Sequence, residues 1–153
     1  MQMAARNGST TMLDLLSQNG GSVQTRGLKG DNLYHLAASN GHLNVVKWLL
    51  KNGLKDSCDL RGNTAVHIAA RRCEVGILKF LDVSMGCDFR VINLDGQAPL
   101  ECVPRFGEDT DKILKCRELV KVVVAEAERQ EKEEKMAVVK RRVSLAPLTS
   151  IVV

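Results

Sequence analysis

Three histidines, His35, His42 and His67, and five cysteines, Cys58, Cys73, Cys87, Cys102 and Cys116, are the side chains to weigh first for nucleophilic or soft-metal chemistry. A histidine could ligate zinc or act as the base for a cysteine nucleophile. The cysteines are odd in number and separated by fifteen, fourteen, fifteen and fourteen residues, so no CxxC zinc pair exists, and a reducing compartment suits them best. Two of the histidines stand in matching words, "DNLYHLAAS" at 31–39 and "GNTAVHIAA" at 62–70, each with an Ala-Ala pair two residues on. Groups at equivalent positions of successive packed units lie about 10 Å apart. Zinc–nitrogen bonds are about 2 Å long, so His35 and His67 cannot share one ion. Each ring is better explained as a brace that hydrogen-bonds loop backbone beneath the next unit. The sequence also lacks GxGxxG, GxxxxGK[ST], HExxH and GxSxG, and no cofactor or metal is expected.

The elements that hold these residues repeat. Segments beginning at Ala4, Gly30, Gly62 and Gly96 align at a spacing of thirty-two to thirty-four residues. In each complete copy a glycine precedes a short helical stretch, a break follows, and apolar residues then recur at helical spacing. Leu43, Val46 and Trp48 to Leu50 are expected to face inward, with Lys47 and Lys51 outside. Asn32 and Thr64 offer side-chain oxygens to first-turn amides, and Pro99 suits a position where a missing amide hydrogen costs nothing. The pairs Ala37-Ala38 and Ala69-Ala70 let helices approach closely, while Gly41 and Gly53 permit a left-handed helix end.

"NLYHLAASNGHLNVVKWLLKNG" at 32–53 and "TAVHIAA" at 64–70 resemble the ankyrin repeat, and the resemblance covers about residues 1–123. It implies an all-α solenoid of stacked helix-turn-helix units with β-turn fingers, whose concave side binds other proteins. Departures are expected to matter. Cys73 replaces the turn glycine of the third copy, and one extra residue falls in "LDVSMG". The fourth copy has Ala98 at the capping position, Glu101 at the histidine position and Pro104 where it should cut the first helix short. The first copy is truncated, which suits either a fragment or alternative start of a longer array, or a half repeat with an apolar face to cover.

Ile113, Cys116, Val120, Val123 and Ala127 form one stripe, so the last helix is expected to run on. The domains are therefore expected to be a repeat region at 1–123, a charged helical extension at 124–142 and a flexible tail at 143–153. "KRRVSL" at 140–145 resembles a basophilic kinase site, with Arg141 and Arg142 ahead of Ser144, the expected phosphorylation site. The same stretch departs from a phosphatase-docking motif in having Leu145 for an aromatic residue. The ending "SIVV" is similar to an apolar PDZ ligand. The sequon at Asn7 matters only in a secreted chain.

Twenty-two basic and eighteen acidic residues leave a net charge of +4, and aromatics are 3%. That is too weak and too poor in stacking groups to suggest nucleic acid. No window of eighteen apolar residues or signal peptide is visible, so a cytoplasmic, or alternatively nuclear, location is expected. Carried over from the family by register, partner contacts would come from Leu28, Lys29 and Asp31 with Ser39 and Asn40; from Leu60, Arg61 and Asn63 with Arg71 and Arg72; and from Leu94, Asp95 and Gln97 with Arg105 and Phe106. Bases outnumber acids in this set, which favours a protein partner with an acidic or mixed surface and a non-catalytic scaffold role. The alternative is a regulatory part of a larger enzyme or channel whose catalytic region lies elsewhere.

Overall fold

A computed structural model describes the backbone of residues 1–144 and the side chains of residues 1–141. Its helices are α1 (Gln2–Arg6), α2 (Thr10–Gln18), α3 (Leu33–Ser39), α4 (Leu43–Lys51), α5 (Ala65–Arg71), α6 (Val75–Met85), α7 (Pro99–Cys102) and α8 (Thr110–Ser144). They form four antiparallel pairs. The first helices α1, α3, α5 and α7 pack in one row, and α2, α4, α6 and α8 form a second row behind it. The core between the rows is built of Leu, Val, Ile and Ala, with Ala37, Ala38, Ala69 and Ala70 fully buried where neighbouring helices touch.

Helix starts follow the chemistry of their caps. The Asn32 side chain accepts from the His35 amide at 3.0 Å, and the Asn32 amide donates to His35 Nδ1 at 3.3 Å. At α5 the Thr64 amide donates to His67 Nδ1 at 3.2 Å, and the Thr64 hydroxyl meets the same nitrogen at 3.0 Å. Asp56, from the preceding loop, accepts from the Ala65 amide at 2.8 Å and from the Asn32 side chain at 3.1 Å, tying two helix starts to one carboxylate. Orphan first-turn amides are thereby satisfied.

The buried face of α4 is largely the expected one, with Val45 added and Lys47 and Lys51 exposed. Val45, Val46, Trp48 and Leu49 are buried, while Leu43 and Leu50 are only half-buried. Trp48 reaches across the second row, its Nε1 donating to Asp14 of α2 at 2.6 Å. In the third pair, Cys73 adopts φ +55°, taking the left-handed conformation that Gly41 holds at +73° in the pair before. With the extra residue inside it, α6 runs to eleven residues, against nine in α4, and Gly86 at φ +57° ends it. The fourth pair shows the largest change. Pro99 opens α7, which stops after four residues because Val103, directly before Pro104, turns extended. Arg117 of α8 then donates to the carbonyls of Val103 at 3.4 Å and Pro104 at 3.0 Å.

α8 is one continuous helix of thirty-five residues. Cys116, Val120 and Val123 are buried against α5, α6 and α7, and beyond Val124 the exposed face widens. The helix runs on through residues 123 and 124, and burial thins there. The helix also takes in Val143 and Ser144, the first two residues of the expected tail. The side chains of Arg142, Val143 and Ser144, together with Leu145 and the "SIVV" ending, lie outside the described residues. No helix among the described residues is long and apolar enough to cross a membrane.

Candidate functional site

The fingers between the helix pairs are three copies of one hairpin. In each, the glycine amide donates back across a four-residue turn: Gly30 to Gly27, Gly62 to Asp59 and Gly96 to Asn93, at 2.9, 3.0 and 3.0 Å. The hairpin closes one step further out, with the amides of Gly27, Asp59 and Asn93 donating to the carbonyls of Asp31, Asn63 and Gln97. The three glycines sit at φ +76°, +74° and +74°, the left-handed position that a three-residue hairpin loop requires. Fingers are also stitched to one another, the Leu60 amide donating to Lys29 O at 3.1 Å and the Leu94 amide to Arg61 O at 2.9 Å. A side chain on Gly30 would meet Leu60 at 2.9 Å, and one on Gly62 would meet Leu94 at 3.0 Å.

The histidines brace this ribbon. His35 Nε2 donates to Asn63 O at 2.7 Å, and His67 Nε2 donates to Gln97 O at 3.2 Å, each reaching from one unit into the next finger. A carbonyl can only accept, so each Nε2 carries the hydrogen and each Nδ1 is left to cap its own helix. Burial lowers the basicity of His67, although its bond to Gln97 works the other way. His42 also ties neighbouring units together, its Nε2 contacting Arg6 O at 2.8 Å. Among the described residues no group of His, Cys, Asp and Glu is placed to hold a metal ion. Burial pushes the Cys87 thiol up to about 11 and the Cys116 thiol up to about 12, so both stay protonated at neutral pH and are poor nucleophiles.

A groove of about 610 Å³ lies where fingers one and two face α1, α3 and α5. Nine of the expected contact residues line it: Leu28, Lys29, Asp31 and Ser39 on one side, Leu60, Arg61, Asn63, Arg71 and Arg72 on the other. Leu36 and Ile68 supply apolar floor, and Arg6 adds a fifth cation. Arg6 lines the groove without being singled out by the sequence, although Ala4-Ala5-Arg6 is in register with Ala69-Ala70-Arg71. The acids opposing these cations are Asp31 and Asp59. Burial pushes the Asp59 carboxyl up, but bonds from the Asn63 side chain and from the Asn63 and Arg61 amides outweigh it and hold the group below the usual carboxylate range. Its charge is thus engaged inside the finger, and the outward balance of the groove is basic.

Asn63 requires a correction. It is only 1% exposed, its Nδ2 donating to Asp59 at 3.0 Å and its Oδ1 accepting from Asn93 at 2.9 Å and from Arg71 at 3.4 Å. It joins two fingers and orients Arg71, so it borders the groove with its side-chain polar atoms taken up inside the fingers. Ser39 and Asn40 both donate to Leu36 O, finishing α3, and Asn40 lies beside the groove rather than in its lining. Leu94 and Asp95 are exposed at the third fingertip, Gln97 is half-buried below them, and Arg105 and Phe106 are exposed on the loop after α7. These five are not brought into the groove.

Comparison with known proteins agrees with this geometry. The family model for ankyrin repeats, in three copies, matches residues 1–108. Human diacylglycerol kinase iota is 31% identical over 111 residues, which is 69% of this chain and 10% of that protein. A homolog of transient receptor potential cation channel subfamily A member 1 from Caenorhabditis elegans is 30% identical over 122 residues, 78% of this chain and again 10% of the relative. An L-asparaginase from Dirofilaria immitis is 43% identical over a shorter stretch of 51 residues, 33% of this chain. The chain thus spans about a tenth of the length of these relatives. With the repeat period, the hairpin fingers and the bracing histidines all in place, the chain belongs to the ankyrin-repeat family.

Proposed function

We propose that this chain is a non-catalytic binding module whose groove takes a protein segment of acidic or mixed charge, with Arg61, Arg71 and Arg72 as anchors. Ankyrin repeats generally mediate protein–protein interaction. The observation that carries the finer reading is the convergence of Arg6, Lys29, Arg61, Arg71 and Arg72 on one groove whose acid Asp59 is occupied by hairpin amides. Charges of one sign gathered in a concavity steer and select an oppositely charged partner. The test is affinity purification of partners from cells, followed by capture of one mapped partner with the double variant Arg71→Glu/Arg72→Glu. Both side chains are exposed, so the helical circular dichroism should be unchanged while capture falls about tenfold or more. Undiminished capture would remove the basic groove as the binding site.

A second reading is favoured by the two relatives that span most of this chain, a kinase of diacylglycerol and a cation channel by name, each about ten times longer than the matched share. On that reading the module regulates catalytic or channel sequence encoded with it. A transcript whose reading frame continues beyond these residues into such sequence would support it. We further propose that a basophilic kinase acts on Ser144. Incorporation of phosphate by a cyclic-AMP-dependent kinase that persists in Ser144→Ala would exclude that site. The odd cysteine count supports a cytoplasmic or nuclear setting.

A further inference from the structure

The tips of the three fingers carry the same unexpected residue. Leu28, Leu60 and Leu94 stand two places before Gly30, Gly62 and Gly96, and they are 102%, 70% and 78% exposed. Turn tips are ordinarily polar, and the turn itself is closed by backbone bonds and by the glycine; Leu60 and Leu94 rest one edge on Gly30 and Gly62 of the preceding finger and leave most of their surface open. Large apolar side chains aligned in the open mark a contact surface. The stitching between fingers places them in one row, and the repeat spacing sets the row's pitch at about 10 Å. Beside the first two lies the basic groove.

We infer that the segment bound here is an acidic amphipathic α-helix whose apolar residues recur every seven positions along the leucine row. This rests on the proposed basic groove and names its occupant. An estimated pitch and one observation point to a helix. The rise of about 1.5 Å per residue carries seven residues through about 10.5 Å, so three apolar residues in heptad register meet three fingertips over about 21 Å. The main chain between the fingers is already paired, Leu60 to Lys29 and Leu94 to Arg61, so an extended peptide finds no ladder there, whereas a helix brings its own backbone bonds satisfied. Acidic residues on the flank of that helix face Arg61, Arg71 and Arg72.

The test uses three synthetic fluorescein-labelled peptides of about eighteen residues with the same numbers of Leu and Glu on an Ala background, read by fluorescence anisotropy. One places its leucines at i, i+7 and i+14; one places them every five residues, which scatters them around the helix; one has two prolines added to keep it extended. The heptad peptide should bind at least about tenfold more tightly than either other. The triple variant Leu28→Ser/Leu60→Ser/Leu94→Ser should erase that difference, whereas Arg71→Glu/Arg72→Glu should weaken all three. Unchanged circular dichroism and melting temperature would show the leucine variant folded, as their exposure leads one to expect. Equal binding of the three peptides, or tightest binding of the extended one, overturns the helix and leaves the basic groove standing. Binding by none of them also overturns the helix, and capture of the mapped partner then decides the groove separately.

Discussion

The two middle helix pairs and the last pair solve the same problem differently. In α3–α4 and α5–α6 a buried histidine caps its own helix with one nitrogen and fastens the following finger with the other. In α7 the equivalent residue is Glu101, whose carboxylate accepts from the Ala98 amide at 2.8 Å and only closes its own helix. A carboxylate suffices where only a cap is needed, but it cannot donate to a carbonyl. Cohesion at that end comes instead from α8, through buried Cys116, Val120 and Val123, and through Arg117 on the carbonyls that the shortened α7 leaves behind. The histidine is therefore a fastening between units rather than a component of the unit that contains it.

Removing the two kinds of cap tests this contrast most strongly. His67→Ala removes one of the two donors to Gln97 O, frees the α5 cap and leaves a space in the core, and should cost about 2–3 kcal/mol in urea denaturation. Glu101→Ala, at an exposed cap, should cost about 1 kcal/mol or less. Equal losses would show that the histidine's second bond contributes nothing. Next in size is the glycine pair. Gly62→Ala and Gly96→Ala share the strain of a positive φ, about 1 kcal/mol, but only Gly62 has the next finger against it. The first variant should therefore melt measurably lower than the second.

Acid titration probes the same brace. His67 has its folded value below the ordinary 6.5 because burial disfavours the charged ring. The unfolded chain therefore binds the proton more readily, and this contribution is intact above the unfolded value and lost as pH falls through the folded one. Urea midpoints should decline on going from pH 7 toward pH 5, and His67→Gln should flatten that decline. The smallest effect is expected at Arg90, which spans from the third finger to Glu131 of α8 at 2.7 Å with both side chains in solvent. Surface ion pairs contribute little. Arg90→Ala should leave the melting temperature within measurement error, and a clear drop would mean that the far end of α8 is held more firmly than its exposure suggests.

Much of this arrangement is legible in the residues because it is local. Asn32 and Thr64 as caps, the alanine pairs as close contacts, the left-handed Gly41 and the shortening at Pro104 each follow from one side chain and its immediate neighbours. What depends on the next unit is not legible. Asn63 has the same polarity whether it faces solvent or closes a network, and only the arrival of Asn93 and Arg71 decides for the network. Arg6 belongs to the groove because α1 stacks beside α3, although its copy is incomplete. On α4 the expected Val46, Trp48 and Leu49 are buried, and Val45 joins them. The continuity of α8 through residue 123 shows the reverse case, where a sharp change of composition leaves the helix intact because Glu, Lys and Ala are all good helix formers.

The contact between Gly62 and Leu94 bears on how such a protein could be rebuilt by shuffling its units. The glycine that must stay bare belongs by sequence to one unit, while the Leu94 backbone and side chain that leave no room for anything larger belong to the next. A graft cut at the obvious seam between helix pairs would separate the two. A library that exchanges units freely should therefore recover only those chimeras in which a donor's fingertip meets a recipient's glycine, so the interchangeable segment begins inside one finger and ends inside the following one.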